Sequence, residues 1–114
     1  MEEIMPKFVT IGYGDAAGYR RTDEAVRAAA HAHDAKLQKA GVEMGIAGQA
    51  VQVRNHAAKE VSVSEGAFMR SEMPVAGFAI IEAADLSEAV EMVSKTPCAV
   101  AYGVVEVWPL NQVA

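Results

Sequence analysis

Apolar positions in this chain alternate with polar ones in some stretches and recur every three or four residues in others. The first pattern marks half-buried strands and the second amphipathic helices. Lys7–Tyr13 is rich in β-branched and aromatic residues and reads as a first strand, broken by Gly14, Asp15 and Gly18. Thr22-Asp23-Glu24 predicts a helix start, with Thr22 as N-cap and two acids at the positive end of the helix dipole. That helix runs to Ala40, and Gly41 closes it. Its stripe is Val26, Ala30, His33, Leu37 and Ala40, at steps of three and four.

Val42–Gly48 reads as a weak, glycine-broken strand. Ala50–Arg54 and Glu60–Ser64 alternate with period two, and residues 55–59 join them as a hairpin. Ala76–Ala83 is a stronger strand. Asp85 and Glu88 form a capping-box pattern that opens a second helix, with Leu86, Ala89, Val90 and Val93 as its buried stripe. Pro97 ends it, and Tyr102–Leu110 is the last strand.

The order β-α-β-(hairpin)-β-α-β is the split β-α-β arrangement of ferredoxin-like folds. An α+β domain follows, with an antiparallel sheet and two helices on one face. Alternation puts Val9, Ile11, Ala79, Ile81, Val105 and Val107 under the helices. The opposite set comprises Phe8, Thr10, Phe78, Ile80 and Glu82, and then Tyr102, Val104, Glu106 and Trp108. It is too apolar to lie bare in water, yet it holds two carboxylates. Either two sheets meet face to face in a dimer around a partly polar cavity, or the glutamates shield a one-sided sheet.

Composition narrows the partners. The chain has 114 residues, enough for one domain with a real core. Its net charge is −5 and it has no run of basic residues, which argues against nucleic acid and against an anionic membrane surface. No apolar stretch approaches the ~20 residues that span a bilayer. The opening MEEIMPKF is acidic and unlike a signal peptide or an anchor. A single cysteine, Cys98, permits no intrachain disulfide and suits a reducing compartment, so a cytoplasmic protein is expected.

Several segments together resemble the YCII-related family, and in particular its DGPF branch. They are Glu65-Gly66-Ala67-Phe68 in a loop after a strand, the glycine-bearing strand Ala76–Ala83, and ADLSEAVEMV at Ala84–Val93. The closing YGVVEVWPL, the segment Ala35–Gly45 and the opening strand to Asp15 add to the likeness. The resemblance implies a dimeric α+β barrel with a cleft between the sheet, the first helix and the DGPF-like loop. It implies either a small lyase using a histidine–carboxylate pair or, since the DGPF branch often accompanies alternative sigma factors, a regulatory module. Glu65 and Ala67 stand where the branch has Asp and Pro, and the family's helical histidine falls at Ala30.

Among residues that could carry chemistry, His33 lies on the helix stripe one turn after Ala30. It reads either as a general base, paired with Asp15, Glu65 or Glu106, or as a core histidine bonded to a backbone carbonyl. His31 and Asp34 are neighbours on the helix surface and could instead form a pair. Tyr13, Phe68, Arg70 and Glu72 are the candidate ligand-binding residues, at strand ends and in the loop where sites are commonly built. Neither a metal nor a cofactor is expected, because His31 and His33 diverge on the helix and no nucleotide motif is present. The sequence therefore points to a homodimer that binds a small organic molecule. Its activity would be cofactor-free proton transfer, of lyase or isomerase type, or else a non-catalytic role in transcription regulation.

Overall fold

One of the two inner strands of the main sheet is the first in the chain. In the computed structural model, which describes residues 5–112, the elements run in chain order. They are β1 (Lys7–Tyr13), α1 (Ala16–Arg20), α2 (Glu24–Lys39), β2 (Glu43–Ile46) and β3 (Val51–Arg54). A 3₁₀ turn (His56–Ala58) follows, then β4 (Ser62–Glu65), β5 (Val75–Glu82), α3 (Leu86–Val93), α4 (Pro97–Val100) and β6 (Val104–Leu110). The order across the main sheet is β2-β5-β1-β6, antiparallel throughout, while β3 and β4 form a separate antiparallel pair. The fold is α+β, with antiparallel sheets and four helices among the described residues. None of these helices is long and apolar enough to cross a membrane. The first four residues of the acidic opening lie outside the described residues.

Register decides which residues meet the helices. Directly opposed residues of an antiparallel pair share a face. Phe8 stands opposite Ile81, and Thr10 lies between Ala79 and Val107. Phe8, Ile81 and Ala83 bury against Ala89 and Val93 of α3, with Ala79, Val105 and Val107 packed beside them. The expected faces of β5 and of Val104–Leu110 hold, but Tyr102 lies in the turn before β6 with φ 64° rather than on the strand, and the faces of β1 are exchanged. Val9 and Ile11 lie on the face away from α3, and Phe8 and Thr10 lie under it. The cause is that β1 is an inner strand and apolar on both sides, so alternation carries no information on its parity. Lys7 carries that information: it lies opposite Glu82, on the side of the open face.

Two short helices were not expected. Asp15 accepts the Gly18 N–H at 2.8 Å and so caps α1, where the glycines had suggested only a break. Thr22 is not the side-chain cap of α2. Its buried hydroxyl donates to the Gly18 carbonyl at 2.7 Å, and Asp23 takes the N-cap position without a side-chain bond. The end of α2 agrees with expectation. Gly41 has φ 104°, and the N–H groups of Gly41 and Val42 reach back to Gln38 and Leu37. Asp85 caps α3 through Glu88 N–H at 2.8 Å, but Leu86 and Val90 stay half exposed while Ala89 and Val93 bury. Pro97 opens α4 at its first turn rather than merely ending α3, a place that needs no N–H donor.

Candidate functional site

The loop leaving β4 crosses the open face of the sheet before it enters β5. Gly66 makes this possible with φ 99°, and its N–H bonds the Ala50 carbonyl at 2.9 Å. The Ser71 hydroxyl donates to the Met73 carbonyl, and Gly14 N–H donates to the Pro74 carbonyl at 3.2 Å, which ties the loop to the end of β1. Between this loop and the strands lies a groove of about 470 Å³. Met69, Arg70, Glu72 and Met73 wall one side, and Tyr13, Glu106 and Trp108 form the other.

Strand pairing explains why those three side chains converge. Tyr13 stands opposite Val104, so Glu106, two residues on, is its diagonal neighbour on the same face. The Tyr13 hydroxyl donates to Glu106 Oε1 at 2.8 Å, and the Trp108 indole N–H reaches the same oxygen at 3.4 Å. Both of these hydrogen bonds fall on Oε1; among the described residues none is found to Oε2. The hydrogen bond to Glu106 raises the Tyr13 phenol above its ordinary 10.0, with desolvation and the Glu106 charge adding to the shift. Tyr13 is therefore a donor at neutral pH and not a base.

That shift has a checkable consequence. The protonated phenol is favoured in the folded state, so its contribution to stability is present below pH 10.0 and is lost as pH rises through the higher folded value. In an absorbance titration at alkaline pH, the difference between wild type and Tyr13→Phe should be a phenol titrating above 10.0. Glu106→Gln should bring that step back towards 10.0, because the charge and the strong acceptor are gone. A Tyr13 step unmoved by Glu106→Gln would refute the pairing.

The structure brings Tyr13, Glu106, Arg70 and Glu72 to one groove and leaves the other candidates elsewhere. His33 Nε2 donates to the Met92 carbonyl of α3 at 2.7 Å, tying α2 to α3 and lining no part of the groove. A bond to a backbone carbonyl is the contact of its second sequence reading, although His33 is only partly buried. Asp15 is engaged as the cap of α1. Glu65 sits exposed at the end of β4, and Phe68 lies 78% exposed beside β3, in a separate shallow groove. His31 does not pair with Asp34; its Nε2 meets the Tyr19 hydroxyl at 2.8 Å. Burial raises the Asp34 carboxyl, while the nearby histidines pull it down. Burial likewise raises the Cys98 thiol, with the Asp34 charge adding, so the thiol is not an activated nucleophile. Among the described residues no group of three or more His, Cys, Asp or Glu side chains could hold a metal ion.

Trp108, Val104, Ser71 and the methionines of the loop line the groove without having been singled out from the sequence as site residues. Trp108 stood on the correct face, two residues from Glu106, and that spacing was the available signal. The methionines carried none, because unbranched apolar side chains fill gaps in any environment. No curated protein matches the chain in sequence. The sequence pattern of the YCII-related domain matches residues 6–113, and the chain belongs to that family.

Proposed function

We infer that this YCII-related protein binds a small organic molecule in the groove over Tyr13 and Glu106. The observation that carries the reading is the 2.8 Å bond that orients the Glu106 carboxylate at the wall of an open groove. A carboxylate held by one oxygen keeps the other free to accept a proton or a donor group. Trp108 and Val104 offer apolar surface for the body of the ligand, and Arg70 offers a cation for an acidic substituent. The chemistry available here is cofactor-free proton transfer, with Glu106 taking the proton and Tyr13 as hydrogen-bond donor. This is lyase or isomerase chemistry by a carboxylate–phenol pair, in place of the histidine–carboxylate pair expected from sequence.

The strand order β2-β5-β1-β6 supports the ferredoxin-like, split β-α-β reading of the protomer. The Glu65–Phe68 loop after β4 supports membership of the DGPF branch. Phe78, Ile80, Val104, Trp108 and Leu110 on the open face are each roughly half exposed, which supports a homodimer through the sheet faces. Such a dimer encloses the groove. One observation favours the alternative, a non-catalytic interaction module tied to transcription regulation: His33 is engaged with a backbone carbonyl.

A fragment screen read by the Trp108 indole resonance separates the two. Trp108 is the single tryptophan of the chain, so at constant protein concentration, where the dimer content is fixed, a shift of its signal on adding a fragment reports this groove. The small-molecule reading expects fragments bearing a hydrogen-bond donor to shift that resonance. If none does at millimolar concentration, the groove is not a ligand site and the interaction-module reading stands.

A further inference from the structure

The segment between β2 and β5 is an arm that the rest of the protomer does not cover. β3 and β4 pack essentially on each other alone. The radius of gyration is 16.4 Å, against about 13 Å for a compact chain of this length, as a projecting arm requires. Yet the arm carries the period-two pattern of a half-buried ribbon. Val53 lies opposite Val63, and Val51 and Val61 share their face, each about 60% exposed, with the exposed Glu65 opposite Val51 at the end that leads into the next loop. The other face is polar and already satisfied. Arg54 donates to Gln52 Oε1 at 2.7 Å and reaches Ser64 at 3.4 Å, while Gln52 donates to the Gly66 carbonyl. A two-stranded hairpin whose one face bares four valines beside a single carboxylate is marginal in water. This alternation makes sense only if something lies on the valines.

We propose that the valine face of the β3–β4 arm is buried against a second copy of this chain, extending the sheet-face interface past its edge. The proposal rests on the homodimer reading above and goes beyond it. Area supports this occupant. At ordinary residue sizes the exposed apolar residues of the sheet face offer roughly 500 Å² per protomer. A stable interface needs about 800 Å² from each partner. The four valines and Phe68 add roughly 500 Å² more and carry the total past that threshold. Continuity supports it too. Met69–Met73, which wall the groove, lead straight from the arm into β5, so a copy seated on the open face lies against the root of the arm. Docking of the arm then also steadies the loop that walls the ligand groove.

Sedimentation velocity and amide hydrogen exchange of the full chain test this. The wild type should dimerise, and the amides of β3 and β4 should be protected at high concentration and exchange rapidly below the dissociation constant. Val53→Asp should raise the dimer dissociation constant about 30-fold or more, because the interface would bury an unpaired charge. The monomer's circular dichroism should stay unchanged, since Val53 is exposed there. Phe78→Asp tests the sheet face separately. If Phe78→Asp dissociates the dimer while Val53→Asp leaves its constant unchanged, the arm is not in the interface and only this inference fails. Arm protection that does not vary with concentration has the same consequence. A wild type that is monomeric at every concentration overturns both readings.

Discussion

Replacing Gly103 with alanine should lower the melting temperature by roughly 10–15 °C, a loss of about 3 kcal/mol. Gly103 sits in the turn between α4 and β6, and its N–H bonds the Cys98 carbonyl at 3.0 Å. A methyl group there would overlap the Tyr13 carbonyl oxygen and come within 2.6 Å of the Cys98 carbonyl oxygen. Both obstacles are backbone, so no rotamer change relieves them. The turn must shift, and with it the start of β6 or the end of β1. Tyr13 and Glu106 stand on those two segments, so the variant should also displace the Trp108 indole resonance. Gly48→Ala is the control, because nothing lies within 4 Å of its added methyl group. A thermal melt of Gly103→Ala that coincides with wild type would contradict this packing.

Ile81→Ala should cost about 3 kcal/mol, read as a lower urea midpoint with an unchanged slope. Ile81 is 1% exposed, the largest fully buried side chain, and it packs among Phe8, Ala83, Ala89 and Val93. Truncation removes its apolar contacts and leaves a cavity that neighbours on a sheet and a helix cannot collapse to fill. Leu86→Ala on α3 should cost less than half as much, because that side chain is already 50% exposed. Equal costs at the two positions would place the core elsewhere.

How much of this could be read from the chain depended on whether one face of each element was bare. β5 alternates an apolar side with a mixed one, so its parity was legible. β6 was legible for the same reason. β1 is flanked on both edges and apolar on both faces, so Val9 and Phe8 look equally fit for the core. Choosing wrongly moved Tyr13 to the helix side and hid its bond with Glu106. A one-residue slip is enough to lose a site of this kind, since it reverses every side chain of the strand. Lys7 could have corrected it, because a charged residue facing the glutamates marks the open side. The helix histidine was legible as a residue on the right stripe but not in its role. Whether an imidazole on an apolar stripe meets a carboxylate or a carbonyl depends on the helix packed across from it, and no local pattern encodes that. The caps at Asp85 and Gly41 were legible because capping depends only on neighbours a few residues away. The α1 helix was missed because its Gly18 suggested a loop. That glycine is instead needed where the helix meets the Ala101 carbonyl, 2.6 Å from the place a Cβ would take.

The two carboxylates of the open face are now distinguishable, and the central claim turns on that difference. Glu106 is oriented by Tyr13 and lines the groove, whereas Glu82 is exposed, opposite Lys7, and lines no part of it. The most direct measurement is a titration of wild type, Glu106→Gln and Glu82→Gln with a donor-bearing fragment that shifts the Trp108 indole resonance. Glu106→Gln should weaken binding about tenfold or more, since it removes a charge-assisted hydrogen bond, while Glu82→Gln should bind as wild type does. Equal affinity of wild type and Glu106→Gln would show that the Tyr13–Glu106 pair is not the binding site.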